Sequence, residues 1–331
     1  MTVPRELEAY IPVGVGSCLL GAPVRFNGLG KKHNPLLEDL SQFFSWRSFC
    51  PEMAIGLGVP RAPIRLVGGP PVAGLTGVWS DLRAVDSIAG VIDVTQSLRN
   101  YGAAVLKQQP DLCGYILVKG SPSCGLERVK RYNPAGVVAG RDATGIFAAA
   151  LSACDPLLPL EEDGRLQDEH LRESFVARVF TYHAWRQLQR EGISCAALQR
   201  FYAQRKYLIM SRHIATYEQL GKLLATADKG SLAAVAQQTI TLIMSALARP
   251  ATRSGHANTL MHIRGYLKNQ LSANEKAELS DLIEQYRRGF VPLVVPLTLL
   301  RHHFSRHPHS YIERQLFMQP YPSALRLRNH L

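Results

Sequence analysis

The chain holds 331 residues, 46% hydrophobic and 19% charged, with a formal net charge of +12, a length that suits two domains of ordinary size. No apolar run reaches the roughly 20 residues that cross a bilayer, and the longest, residues 290–300, contains two prolines, which argues against a membrane-spanning protein. Six cysteines in so long a chain do not make a disulfide framework; they read as thiols of a reducing compartment, free for metal binding or catalysis.

The first residues carry Glu6 and Glu8 where a secretion signal would place its basic and apolar regions, which predicts a cytoplasmic protein. Residues 11–18 form a strand-like run that ends at Cys18. A loop with Arg25, Asn27, Lys31 and Lys32 follows, then a helical stretch over 35–42. Residues 43–50 are a second strand-like run, ending at Cys50 before Pro51 and Glu52. Residues 64–67 are a third, followed by a Gly/Pro hairpin or loop over 68–77. The helix predicted over 96–109 has Asp93 or Thr95 as its cap and leads into the apolar run 114–118, which stops in Gly120-Ser-Pro-Ser-Cys124-Gly125. Strand, helix, strand in that order argues for a mainly parallel sheet with crossovers, a Rossmann-like α/β domain. Residues 136–140 and a helix or strand over 144–153 complete it.

The acidic, proline-containing stretch 157–164 is the predicted boundary between an α/β domain over 1–158 and an all-α domain over 165–331. Helices are predicted over 171–191, 196–227, 232–248, 258–271, 273–290, 293–305 and 311–318, with Ser272 and Glu275 spaced as a capping box. The first 160 residues hold 15 Lys and Arg against 12 Asp and Glu, and the rest 23 against 14, so +9 of the +12 lies in the second part. Such a surplus favours a polyanionic partner, because each neutralised phosphate releases counterions. Solvated helix faces account for it equally well. Arg205 and Arg212 are seven apart and share a face of the predicted helix 196–227, with Lys206 in the adjacent row. Together with Arg287, Arg288 and Arg301 they are the candidate phosphate contacts.

Cys18, Cys50 and Cys124 each close a strand-like run. The carboxyl ends of parallel strands share the sheet edge where open α/β sheets hold their ligands, so three sulfurs far apart in sequence can converge there. A structural zinc would want four ligands, usually in close pairs, and no such pair exists here. Three dispersed thiolates suit a [4Fe-4S] cluster with one iron lacking a protein ligand; the competing reading is three structural thiols. Cys113, Cys154 and Cys195 lie in ordinary apolar or helical contexts and read as small buried hydrophobes.

Ser17-Cys18-Leu-Leu-Gly21 with Val24-Arg25-Phe-Asn-Gly28, Cys50-Pro51-Glu52 with Pro60-Arg61, Asp93-Val-Thr95, and Leu117-Val-Lys119-Gly-Ser121-Pro-Ser-Cys124-Gly125 follow one another in order. Over about residues 11–155 these motifs resemble the iron-sulfur-dependent thiouracil desulfurase family. The remainder is similar to the YbgA-like helical domain, through residues 201–213, Gly265-Tyr-Leu-Lys268, Tyr286-Arg-Arg-Gly289, residues 291–296 and Gln319-Pro-Tyr. Proteins that fuse the two resemble tRNA 4-thiouridine desulfidases, which convert 4-thiouridine in tRNA to uridine. The resemblance implies Cys18, Cys50 and Cys124 as ligands of a [4Fe-4S] cluster, Glu52 and Ser121 as catalytic residues, and tRNA as partner. A carboxyl group beside an open iron can shuttle a proton, and a hydroxyl can orient a base. Without such roles Glu52 is an acid at a helix start and Ser121 a turn residue. The alternative readings are a desulfurase of free thiouracil or thiouridine nucleotides, and a non-catalytic iron-sulfur sensor that binds nucleic acid.

Overall fold

The computed structural model describes residues 10–31, 34–68, 81–88, 90–228 and 230–329. Lys32 and most of the predicted hairpin over 68–77 lie outside the described residues. The chain divides into two compact units, Tyr10–Gln167 and Asp168–Leu331.

The first unit is α/β. Its main sheet has the order β2-β1-β5-β8 and is parallel throughout, built from β1 (Ile11–Gly16), β2 (Phe44–Phe49), β5 (Tyr115–Leu117) and β8 (Leu160–Glu162). Ile11, Val13 and Val15 of β1, and all of β5, are completely buried, as expected of central strands covered on both faces. Gly14 is glycine for a packing reason: a Cβ there would stand 2.2 Å from the Tyr115 ring on the neighbouring strand. From β1 the chain goes to β2 on one side and later returns as β5 on the other. The gap at the carboxyl ends of β1 and β5 is therefore the topological switch point, the place where open sheets of this kind bind ligands.

Helices α1 (Pro35–Ser41), α2 (Pro51–Ala54), α3 (Thr95–Gln108) and α4 (Ile146–Cys154) accompany this sheet. Gly102 lets α3 press on α4, since a Cβ there would meet that of Ala150 at 2.6 Å. A second, mixed sheet has the order β4-β3-β6-β7, from β3 (Ile64–Val67), β4 (Arg83–Asp86), β6 (Val129–Tyr132) and β7 (Val138–Ala143). Leu66, Ala84 and Val129 of this sheet share a core with Leu98 of α3 and Ile146 of α4, and Ile55 and Leu57 pack on it. That core fixes the segment following α2, which carries site residues.

The second unit is all α: α5 (Glu169–Glu191), α6 (Cys195–Met210), α7 (Ile214–Ala225), α8 (Leu232–Leu247), α9 (Arg253–Arg264), α10 (Ala273–Arg288), α11 (Val294–Arg306) and the short α12 (Ser310–Glu313). The single helix expected over 196–227 is two. The chain breaks at residues 211–213, where the His213 side chain accepts from the Thr216 N–H and caps α7. The capping box of Ser272 and Glu275 is present in both directions. No helix among the described residues is long and apolar enough to cross a membrane.

A buried ionic network ties α5 to the end of the chain. Glu173 accepts from the Tyr321 hydroxyl at 2.8 Å and Arg328 Nε at 3.0 Å, with Arg212 Nη2 at 3.6 Å. Burial alone would raise the Glu173 carboxyl, but Arg328 and Arg212 outweigh it and hold it at about 2 against an ordinary 4.5. Burial pushes the neighbouring His256 from 6.5 down to about 3. Both folded-state values lie below the unfolded ones, so the unfolded chain binds more protons in between and stability falls with falling pH. His256 contributes this loss from about 6.5 down to about 3, and Glu173 from about 4.5 down to about 2. Helical circular dichroism during acid titration should therefore decline in two overlapping stages, and His256→Gln should flatten the upper one. An unaltered profile in that variant would contradict the assignment.

Candidate active site

Each of the three predicted cysteines sits just past a strand of the parallel sheet, in a turn that the backbone holds in place. Cys18 lies in the 3-10 turn Ser17–Leu20 after β1, which Gly21 closes in the left-handed region at φ 88°. The Cys18 carbonyl accepts from the N–H groups of Gly21 and, at 2.9 Å, Lys31. Cys50 follows β2 and is the N-cap of α2. Cys124 follows β5 in a turn organised by Ser121, whose Oγ accepts from the N–H groups of Ser123 at 3.3 Å and Cys124 at 3.1 Å. The start of α4 clamps this turn from behind: Ile146 N–H donates to the Pro122 carbonyl at 3.1 Å and Phe147 N–H to that of Ser123 at 3.0 Å. Gly145 permits the approach, because a Cβ there would stand 2.5 Å from the Ser123 oxygen.

All three cysteines line one cavity of about 280 Å³. Cys18 and Cys124 are buried and Cys50 half-buried. Burial is the first cause that raises each thiol. Cys124 is pushed furthest, with Glu52, Cys50 and Cys18 adding to the effect of burial. Burial and the repulsion between neighbouring thiolates both disfavour ionisation here, and a positive partner in the cavity would favour it. Among the described residues no three His, Cys, Asp or Glu side chains close on a single metal ion. A lone zinc, with Zn–S near ~2.3 Å, would draw its thiolates to within about 4 Å of one another. The donor set and the shared cavity fit a larger, thiolate-held group.

Glu52, in the first turn of α2, also lines the cavity and is held at both oxygens. Oε1 accepts from the Ser123 hydroxyl at 2.6 Å, and Oε2 receives Arg61 Nε at 2.9 Å and Nη2 at 2.7 Å. Arg61 is itself fixed by donating to the carbonyls of Gly58 at 2.7 Å and Val24 at 2.9 Å. Lys31 pairs with Asp163 at 2.7 Å, and Asp163 also accepts from the Lys119 N–H at 2.9 Å. Ser121, expected at the site, lines the cavity beside Cys124. Ser123 and Arg61, which stand in the motifs, Lys31, which stands in the loop after Cys18, and Asp163 carry no site role in the sequence reading. The signal for Arg61 is its place in the Pro60-Arg61 motif; Asp163 lies within the stretch 157–164 expected as the domain boundary and gives none.

The candidate phosphate contacts divide. Arg205 and Arg212 are buried, which corrects their expected place on a solvated face. Arg205 stacks its guanidinium 3.7 Å from the Phe201 ring centre and donates to the Phe201 carbonyl. Arg212 serves Glu173 and donates to the Arg249 carbonyl at 2.8 Å. Lys206 is half-buried, with its ammonium 5.4 to 5.7 Å from the rings of Tyr207, Tyr217 and Tyr311. Arg301 is half-buried and donates to the Met318 carbonyl. Arg287 and Arg288 are exposed, both bonded to Glu284.

Comparison with known proteins agrees with the two-part architecture. Residues 13–163 match the family model described as 2-thiouracil desulfurase, and residues 206–322 match DUF1722, described as a protein of unknown function. The chain joins a thiouracil desulfurase-like domain to a DUF1722, YbgA-like domain. The uncharacterized protein YbgA of Escherichia coli (strain K12) is 27% identical over 158 residues, 47% of this chain and 94% of that protein. The uncharacterized protein YbbK of Bacillus subtilis (strain 168) is 29% identical over 136 residues, 40% of this chain and 82% of that protein. A solved structure titled as the [4Fe-4S]-dependent thiouracil desulfidase TudS aligns at 26% identity and a TM-score of 0.36, covering 49% of this chain and 95% of its own. The first domain is an enzyme domain of the thiouracil desulfurase type.

Proposed function

We propose that this protein is an iron-sulfur-dependent desulfidase that removes sulfur from 4-thiouridine in tRNA and leaves uridine. The observation that carries the reading is the meeting of Cys18, Cys50 and Cys124 on one cavity, at the carboxyl ends of the adjacent parallel strands β1, β2 and β5. These three thiols would hold a [4Fe-4S] cluster and, being three, leave one iron without a protein ligand. When bound, the cluster supplies a Lewis acid for the soft thiocarbonyl sulfur. The net change is hydrolytic: C=S and water become C=O and hydrogen sulfide, with no electrons gained or lost.

The protein groups have the remaining work. Glu52 moves a proton between water and the ring nitrogen, with Arg61 and Ser123 holding its carboxylate in one orientation. Ser121, whose hydroxyl already accepts two backbone N–H groups, can still donate its own hydrogen to a polar atom of the base. The apolar walls of the cavity, Phe49 and Ile64 among them, limit competing water. Thiols of this kind and tRNA coexist in the reducing cytoplasm. The basic surplus of the second part supports a polyanionic substrate, with the exposed Arg287 and Arg288 as its most accessible candidate contacts. A second reading, free thiouracil or a thiouridine nucleotide as substrate, is favoured by a cavity of about 280 Å³, the scale of a single base.

Anaerobically reconstituted protein should show a kcat/KM for 4-thiouridine in tRNA about a hundredfold or more above that for free 4-thiouridine and 2-thiouracil, because contacts remote from the base lower the barrier. That advantage should shrink as salt rises. Equal values for tRNA and free bases would overturn the tRNA reading and favour the second.

A further inference from the structure

The helical domain contains a polar cavity that the desulfurase reading does not use. It is small, about 30 Å³, and is lined by His170, Glu173, Arg253, His256, Tyr286 and Arg328, with Leu293 and Leu327 as apolar wall. Three helices begin at it. His170 and Glu173 lie in the first turns of α5, Arg253 and His256 in the first turn of α9, and Leu293 is the N-cap of α11. Helix starts present the positive end of the backbone dipole and N–H groups without helical partners, which favours an anion. Part of that capacity is used locally: Asp168 caps α5, Thr252 caps α9, and the Val294 N–H donates to the Arg328 carbonyl.

The side chains leave a positive remainder. Among the described residues Glu173 is the one carboxylate of the lining, and it is already taken by the Tyr321 hydroxyl, Arg328 and Arg212. Against it stand Arg328 and Arg212, both more than nine-tenths buried, and Arg253. Among the described residues Arg328 Nη2 has no hydrogen-bond partner, and neither has His256 Nε2, although both residues are buried. His256 Nδ1 lies 2.7 Å from the Tyr286 hydroxyl; with Tyr286 donating, the neutral ring carries its hydrogen on Nε2. Buried donors without a partner, and two buried guanidiniums that share a single carboxylate, are costly, and a bound anion relieves both at once.

We propose that this cavity is an oxyanion site that takes a phosphate group, either inorganic phosphate or the terminal phosphate of a nucleotide, between Arg253, Arg328 and His256. Room for about two water-sized atoms admits the end of a tetrahedral anion and not a nucleic-acid strand passing through. The site stands independently of the desulfurase chemistry.

The test is thermal unfolding of the full-length protein in rising inorganic phosphate, at ionic strength held constant with sodium chloride. The proposal expects a saturable rise in Tm. Arg253→Gln should raise the half-saturating concentration about tenfold, the scale of one charge-assisted hydrogen bond. Arg190→Gln, an equal charge change in the exposed last turn of α5, should leave it unchanged. Uridine 5′-monophosphate separates the two sources: if it acts as phosphate does, the site accepts a nucleotide terminus, and if phosphate alone acts, the ligand is the free anion. Phosphorus NMR line broadening of inorganic phosphate by the wild-type protein, reversed by sulfate, reads the site without any variant. A rise in Tm that never saturates, or one that is identical in Arg253→Gln, would overturn the proposal, as would the absence of broadening.

Discussion

A Cys124→Ala protein is expected to fold, to carry no iron-sulfur chromophore and to turn over no thiolated uracil. Cys124 sits in a turn whose hydrogen bonds run through Ser121, Pro122 and Ser123, so removing one sulfur leaves that scaffold in place. What disappears is one of three thiolates, and the two left are too few to hold a cubane with only one open iron. Cys18→Ala and Cys50→Ala should behave alike. Cys113→Ala, Cys154→Ala and Cys195→Ala should keep iron and sulfide at wild-type levels. Cys113 is buried with its Sγ 3.2 Å from the Asp111 carbonyl, Cys154 is exposed at the end of α4, and Cys195 begins α6. None of these three lines the cavity. Iron and acid-labile sulfide per chain, with circular dichroism as the check on folding, separate the two groups. Loss of the chromophore in Cys113→Ala would contradict the assignment.

Glu52→Gln is expected to retain the cluster and lose about 10²–10⁴-fold in kcat, the usual worth of a positioned acid or base. The amide keeps the shape of the side chain. Its oxygen can still accept from Arg61 at the Oε2 position, and the Ser123 hydroxyl can turn to accept from the new NH2 at the Oε1 position. It removes only the group that exchanges a proton. Iron content and absorbance should match wild type while turnover falls. Full activity in this variant would return Glu52 to the part of a helix-start acid that orders Arg61.

In the parallel sheet β1 and β5 were legible because they are short apolar runs closed by turns, and burial on both faces leaves no room for polar residues at Val13, Val15 or Ile116. Of the mixed sheet only β3 was, as the run 64–67. β6 reads Val-Lys-Arg-Tyr and β7 is exposed along most of its length, so neither carries a buried run; Arg131 is accommodated only through Asp142 and the Gly68 carbonyl. β8 looked like an acidic linker for a related reason. Glu162 is buried because its Oε1 accepts from the N–H groups of Leu126 and Glu127, and Glu161 because it bonds Arg165, and such partners cannot be seen from the residues themselves. The same limit governs Arg205 and Arg212. Heptad spacing puts them on one face, but only packing decides whether that face meets water or Phe201 and Glu173. At the candidate site, the thiols and Glu52 followed from their motifs, whereas Ser123 and Arg61, though they stand in the same motifs, gain a role only from the hydrogen bonds that grip the carboxylate.

The proposed desulfuration is hydrolytic and electron-neutral and depends on a cluster held by three strand-end thiols. The measurement closest to it is a single-turnover reaction of cluster-loaded protein with 4-thiouridine tRNA under anaerobic conditions, with no electron donor or acceptor added, following uridine by mass spectrometry and released sulfide by trapping. Wild type is expected to give uridine and sulfide in equal amounts, and Cys124→Ala neither. A requirement for an added reductant, or uridine formed equally by the Cys124→Ala protein, would contradict it.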